Sequence, residues 1–249
     1  MRVMALDTTV RDGSVALVAL SDGQCDVDER RGDPSRTHAE RLPGEMAAVI
    51  DAHGLRWVDI DLFAVASGPG SFTGLRIGIA TIQGLALAAG RPLVAVSALE
   101  ALAHLASQEG AATGRPIATW MDARRGDVFA ALYAVTSAPM FEAERLVELE
   151  APTVATPAAT LDRVADHVAN TMALFVGDGA VLHASSIERR WAPSGVPILL
   201  PPLLAGAIGR IGLARAMRGE AIHPSAVQPL YVRRPDAEVD RERRASRPR

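Results

Sequence analysis

Apolar positions recur along this chain in two periods, and the alternation between them lays out the elements. Arg2 to Thr8 and Ser14 to Leu20 are short apolar runs on either side of Arg11-Asp12-Gly13, the pattern of a β-hairpin. Cys25 to Arg31 predicts a third antiparallel strand. Leu42, Met46, Val49 and Ile50 then fall at i, i+4, i+7 and i+8, the stripe of an amphipathic helix that Pro43-Gly44 should kink or loosen in its first turn. Asp61 to Ser67 reads as a buried strand, followed by the loop Gly68-Pro-Gly-Ser-Phe-Thr-Gly74 and a helix from Leu75 to about Ala89. That helix is apolar almost all round, with strong polar breaks only at Arg76, Thr81 and Gln83. Such a helix is covered on more than one side, by a second layer or by another subunit.

Pro92 to Ser97 predicts a strand, and Ser97-Ala-Leu-Glu100 has the spacing of a capping box opening a helix to about Ser107. After a junction at Gly110 to Arg115, a second strand-turn-strand follows, Pro116 to Asp122 and Asp127 to Val135 around Ala123-Arg-Arg-Gly126. Then come a helix near 157–169, a strand at 173–176 ending in Gly177-Asp-Gly179, a helix to about Arg190, a last helix near 203–218, and a short strand Leu230 to Arg233. The second half thus begins like the first, which predicts an α/β protein of two similar lobes. The expected division is 1–110, 111–232 and an Arg-rich, disordered tail at 233–249.

The 249 residues suffice for a large core without covalent staples. One cysteine, Cys25, closes no intramolecular disulfide, and no apolar run near the N-terminus has the form of a leader. A cytoplasmic protein without membrane contact is the expectation. All 26 basic residues are arginine, which excludes Walker-A ATPases, Schiff-base enzymes and any lysine base. The net charge of −3 hides an uneven distribution, because 233–249 holds seven Arg against four acids, which suits either a solvated end or an electrostatic contact with RNA or an acidic partner.

Several motifs admit a chemical role beside a structural one. Asp7, with Gly13 in the following turn, suits either a metal–phosphate contact or a turn cap. Gly68, Gly70, Ser71, Thr73 and Gly74 suit either an anion at a helix N-terminus or an ordinary capped strand-to-helix turn. Asp122 with Gly126, and Gly177-Asp178-Gly179, form candidate counterparts in the second half. The six histidines are too far apart in sequence to make a helical metal pair, and no Gly-x-Ser-x-Gly elbow is present.

Asp7-Thr-Thr with Gly13-Ser-Val-Ala-Leu17, Arg36-Thr-His38, Ser67-Gly-Pro-Gly-Ser-Phe-Thr-Gly-Leu-Arg-Ile-Gly78 with Gln83-Gly-Leu-Ala86, Asp122-Ala-Arg-Arg-Gly126 and Pro229-Leu-Tyr-Val-Arg233 resemble the TsaB family of tRNA threonylcarbamoyladenosine biosynthesis proteins. The resemblance runs in order from residue 1 to about 233 and is most specific over 67–86. It implies the two-lobed actin/Hsp70/sugar-kinase-like (ribonuclease H-like) ATPase fold. It also implies a non-catalytic subunit with no cofactor, pairing with the catalytic paralogue TsaD and working with the ATPase TsaE, or self-pairing when TsaD is absent. TsaD modifies the adenosine beside the anticodon of tRNAs reading codons that begin with A, so tRNA would be reached indirectly. Where TsaD carries a metal-binding His-x-x-x-His, the corresponding positions here are Ala98 and Leu102, so no metal is expected. The resemblance places the partner contact on the helices at 38–53 and 75–89, with Leu42, Met46, Val49, Ile79, Ile82 and Gln83 as contact positions. The alternatives are a small-molecule kinase or ATPase of the same fold using Asp7, Gly68–Gly74 and Asp122, and a peptidase, which the missing metal pair and elbow disfavour.

Overall fold

The N-terminal hairpin forms as its periodicity demands. Strand β1 (Arg2–Asp7) pairs antiparallel with β2 (Ser14–Ser21), Asp7 opposite Ser14, and β2 pairs with β3 (Gln24–Arg31). Strands β4 (Leu62–Gly68) and β5 (Leu93–Ser97) extend the sheet in parallel on the other side of β1, giving the order β3-β2-β1-β4-β5. The second sheet is built the same way from β6 (Ile117–Asp122), β7 (Val128–Val135), β8 (Leu146–Ala155), β9 (Leu174–Val176) and β10 (Ile198–Leu199). Its order is β10-β9-β6-β7-β8, the first sheet's arrangement read from the opposite edge. This repeated topology is that of the two-lobed ribonuclease H-like fold. The computed structural model describes residues 1–108, 112, 114–168, 172–191 and 196–232; the Arg-rich tail at 233–249 lies outside the described residues.

Because successive strand residues point to opposite faces, each sheet feeds two cores. Met4, Leu6, Val15, Leu17, Phe63 and Val65 pack against α1 (His38–Ala52) and α2 (Phe72–Ala89). Their neighbours Val3, Ala5, Ala16, Val18, Leu62 and Ala64 face a central layer of α3 (Ala98–Ala106) and α7 (Ala205–Met217). The same central core takes Ile117, Met121, Phe129 and Val176 from the second sheet. The outer face of that sheet is covered by α4 (Pro157–Val168) and α6 (Ala184–Trp191). Helix α7 lies on the first sheet through β1, β2, β4 and β5, although its sequence position falls in the expected second lobe. Gly209 and Gly212 permit this, since a Cβ there would lie 2.5 Å from Val18 Cγ2 and 2.9 Å from Ala64 Cβ.

Other elements differ from the sequence expectation. The helix expected from 178 to about 190 is split at His183 into α5 (Asp178–Leu182) and α6. Leu230 to Val232 form no strand; instead Leu230 N–H donates to the Ser67 carbonyl at 2.7 Å. At Ser97 only half of the capping box forms: the Glu100 carboxylate accepts from the Ser97 backbone and from Arg215 Nη2, at 2.8 Å to both oxygens, while Ser97 Oγ has no partner among the described residues. Helix α2 begins at Phe72 rather than Leu75, capped by Ser71. By length and composition α2 could cross a membrane, yet Leu75, Ile79, Ile82 and Ala86 are buried within this fold.

Candidate functional site

The strand ends of the first lobe converge on Asp7-Thr8-Thr9. The glycine loop is clamped onto them: Ser71 N–H donates to the Thr9 carbonyl at 2.8 Å, and Ser71 Oγ accepts from Gly74 N–H at 3.2 Å. The glycines are spaces for neighbouring atoms. A Cβ on Gly70 would lie 2.6 Å from Thr9 Cβ, one on Gly74 2.3 Å from the Thr8 carbonyl, and one on Gly78 2.2 Å from Thr8 Oγ1. Between the two roles open to this loop in the sequence, the local geometry is that of a capped turn packed against its own chain.

Asp7 is buried behind this loop, and its Oδ1 accepts from Thr9 N–H at 2.8 Å and Thr9 Oγ1 at 2.7 Å. Burial pushes its carboxyl up to about 6, against the opposing pull of the Thr9 hydrogen bonds. The next turn is tight, with Gly13 at φ +55° and its Cα face against the Asp7 carbonyl. Ser14 Oγ then links two lobes' worth of sequence, donating to Glu29 Oε1 at 2.9 Å and accepting from Ala205 N–H at 3.0 Å. This ties the start of α7 to the hairpin.

In front of the loop lies a cleft of about 1150 Å³ between the two sheets' loop ends. Gly70, Ser71, Thr73, Gly74 and Asp122 line it, as do Arg36, His38, Arg76, Asp178 and Tyr231. Asp7, Gly13 and Gly68 do not. On the second-lobe side, Asp122 Oδ1 accepts from Arg124 N–H at 2.7 Å, and Arg124 forms an ion pair with Asp122 at 3.1 Å. Asp178 Oδ1 accepts from Asp122 N–H at 3.0 Å and Gly179 N–H at 2.9 Å, while burial raises its carboxyl. Both carboxylates therefore shape loops.

Several residues at the cleft or buried behind it carried no assigned role in the sequence. Arg41 is buried and reaches Glu45 at 2.5 Å, the Asp12 carbonyl, and His38 Nδ1 at 2.8 Å. An Nδ1 that accepts from Arg41 leaves the proton of the neutral ring on Nε2, and the ring is also hydrogen-bonded to the Val10 backbone. Burial and Arg41 both hold His38 below its ordinary value. At the cleft mouth Phe72 and Tyr231 pair with ring centroids 5.3 Å apart, Arg76 lies 3.9 Å over the Phe72 ring, and Arg76 Nε donates to Tyr231 Oη at 3.0 Å. Tyr231 is 155 residues from Arg76 in sequence, which is why no local pattern signals the cluster.

The expected partner positions lie elsewhere than on the surface. Leu42, Met46, Val49, Ile79 and Ile82 are all buried against the first sheet. Gln83 is half-buried, its amide donating to the Pro224 and Val227 carbonyls at 2.8 and 3.0 Å. The stripe in the sequence is the core stripe; the outer faces of α1 and α2 carry Pro43, Gly44 and Ala48, and Ala80, Gly84, Leu87 and Ala88. Ala98 and Leu102, where the resemblance would set the paralogue's metal-binding histidines, are buried apolar residues. His104 stacks on Phe141 at 5.5 Å, and burial with Arg215 and Arg145 nearby lowers it to about 4. Among the described residues no cluster of His, Cys, Asp or Glu could hold a metal ion.

A family model described as TsaD, tRNA N6-adenosine threonylcarbamoyltransferase, matches residues 33–172. The tRNA threonylcarbamoyladenosine biosynthesis protein TsaB of Escherichia coli is 40% identical over 133 residues, covering 53% of this chain and 55% of the relative. The match thus spans about half the length of that relative. TsaB of Haemophilus influenzae is 27% identical over 237 residues, with 94% of each chain covered. A solved Pseudomonas aeruginosa structure, described as similar to peptidase YeaZ, superposes with a TM-score of 0.74 at 29% identity, covering 93% of this chain and 99% of that one. The chain belongs to the family of the TsaD model, and the relatives it is similar to include TsaB proteins.

Proposed function

We propose that this chain is the accessory, non-catalytic subunit that binds and activates a TsaD-type threonylcarbamoyltransferase, in a cytoplasmic system that also uses a TsaE-type ATPase. The observation that supports this reading is the placement of Asp7. Its carboxylate is buried, accepts from Thr9 and does not line the cleft, while Gly70, Gly74 and Gly78 serve close packing of the Thr8–Thr9 segment against the loop. A kinase or ATPase needs an open anion cradle and a charged carboxylate in reach of its metal.

The exposed faces of α1 and α2 support the partner assignment. Ala80, Gly84, Leu87 and Ala88 make a small-residue surface on which another helix pair could approach closely, and Leu87 is 50% exposed. The contact is placed on these residues in place of the buried stripe, with TsaD as the occupant and a second copy of this chain as its substitute.

The test is threonylcarbamoyl transfer to tRNA in a mixture of TsaD, TsaE, the adenylate-forming enzyme, ATP, threonine and bicarbonate, with and without this chain. Dependence on the chain, together with no nucleotide hydrolysis by the chain alone, is the expected result. Equal modification without it, or turnover of ATP by the isolated chain, overturns the reading in favour of a kinase-like enzyme.

A further inference from the structure

We infer that the mouth of the interlobe cleft is a binding surface for single-stranded RNA, built from Arg11, Arg36 and Arg76 with the aromatic pair Phe72 and Tyr231. The charge argument comes first. Among the described residues five arginines line the cleft (Arg11, Arg36, Arg76, Arg124 and Arg125) against three aspartates (Asp12, Asp122 and Asp178), in a chain whose net charge is −3. The aspartates are engaged: Asp12 pairs with Arg31, Asp122 with Arg124, and Asp178 with two backbone N–H groups.

Arg11, Arg36 and Arg76 are held differently. Arg11 donates to the Pro34 carbonyl at 2.9 Å, Arg36 to the Glu40 carbonyl at 2.9 Å, and Arg76 to the Tyr231 hydroxyl at 3.0 Å. Neutral acceptors orient these guanidiniums; Arg11 and Arg76 form no ion pair among the described residues and keep their charge for an anion, whereas Arg36 shares its charge with the Asp33 and Glu40 carboxylates.

The layout selects among anions. The three arginines come from the β1–β2 turn, the approach to α1, and α2, so their charges are spread around the cleft rather than focused on one phosphate. At the N-terminus of α2 the Gly74 N–H is already taken by Ser71 Oγ. A polyanion with evenly spaced charges suits such a surface better than a mononucleotide does.

Phe72 and Tyr231, 38% and 40% exposed, add ring surface beside those charges. Arginine interleaved with exposed aromatic rings is the chemistry that tracks a backbone and stacks unpaired bases. Two residues past Tyr231, the sequence continues into seven more arginines against four acids. The choice of RNA over DNA rests on the proposed role in tRNA modification; the arginine and aromatic argument stands without it.

The experiment is fluorescence anisotropy of a labelled single-stranded RNA oligonucleotide titrated with the full chain, at low and at near-physiological salt. The parent is expected to bind, with affinity falling as salt rises by a logarithmic slope of about −0.7 for each phosphate contacted. Arg76→Glu and Tyr231→Ala are each expected to weaken binding about tenfold or more, with thermal unfolding like the parent's because both side chains are exposed. Parent-like binding by both variants, or no binding at low salt, overturns the inference. So does inorganic polyphosphate competing as well against the parent as RNA of equal charge, since that removes any part for the bases. Binding lost when Arg241, Arg243, Arg244, Arg247 and Arg249 become serine, yet unmoved by Arg76→Glu, places the contact in the tail and also overturns it. TsaD activation without RNA binding defeats this inference alone; RNA binding without TsaD activation defeats the proposed function alone.

Discussion

Truncating Ile82 separates the two faces of α2, on which both the fold and the partner assignment depend. Its side chain is 0% exposed and belongs to the core shared by α1, α2 and the first sheet, so Ile82→Ala removes buried methylenes and leaves a cavity. Substitutions of this kind cost about 2–5 kcal/mol. With Met46, Phe63 and Val65 in the same core cluster and little room to collapse, about 3 kcal/mol is expected. At about 2–4 °C per kcal/mol for a chain of this size, the midpoint should fall by about 6–12 °C. Leu87→Ala on the same helix removes a side chain that is half in water and should change stability by no more than about 0.5 kcal/mol. Urea denaturation of both variants measures this, with an unchanged slope confirming that stability alone has moved. Partner capture should reverse the order: Leu87→Asp loses TsaD while folding normally, and Ile82→Ala keeps it per folded molecule. An Ile82→Ala cost under about 1 kcal/mol, with Leu87→Ala costing more, would mean that α2 turns its apolar stripe outward, and the reasoning would fail.

Three further outcomes follow from the site and the central layer. Asp7 has its folded-state pKa raised to about 6 from 3.8, so the folded chain holds that proton more tightly and parent stability falls as pH rises between those values. Asp7→Asn should therefore gain stability over the parent, from near zero at pH 4 to at most about 3 kcal/mol at pH 7; a difference independent of pH, by denaturation at both ends, refutes it. Gly74→Ala drives a Cβ against the Thr8 carbonyl at 2.3 Å and should cost about 1–3 kcal/mol, whereas Gly84→Ala, with nothing within 4 Å, should gain up to about 1 kcal/mol; thermal melts of the pair check the contrast. Arg215→Ala strands the Glu100 carboxylate, already raised by burial, and should cost about 2 kcal/mol at pH 8 after discounting for its partial exposure. The loss should shrink as pH falls and Glu100, raised by burial, takes up a proton; a constant deficit in calorimetry would argue against it.

What was legible in the sequence is what periodicity encodes. β1, β2, β4, β5, β6 and β7 read directly, because each carries buried apolar residues on both faces. β8 did not read, since it lies at the sheet edge with Glu148, Glu150 and Pro152 tolerated where only one side is paired. The stripe Leu42-Met46-Val49 and Ile79-Ile82 was visible, but a stripe states only that something apolar is covered. Whether a sheet or a partner covers it is settled by topology. The glycine loop shows the same limit: the glycines were evident, and the Thr8-Thr9 backbone filling them was not, because it arrives from a strand some 60 residues earlier. Arg41 is invisible for a related reason. A buried arginine needs acceptors, and here they are the Asp12 carbonyl, His38 and Glu45, assembled from two segments.

Helix α2 joins the two surfaces assigned here. Its first turns, with Phe72 and Arg76, form the cleft mouth, and its last turns, with Gly84, Leu87 and Ala88, form the exposed apolar face. At about 1.5 Å per residue, Arg76 and Leu87 are only about 17 Å apart along one rigid helix. A catalytic partner seated on the apolar face would therefore have the arginine and aromatic surface of this chain within about one RNA helix diameter of its own edge. Activation would then need no conformational signal through the lobes. A fixed helix with one end on the enzyme and the other on its substrate suffices to raise the local concentration of RNA at the active site. If so, Arg76→Glu should raise the RNA concentration needed for half-maximal transfer while leaving TsaD capture intact, and Leu87→Asp should abolish both capture and activation.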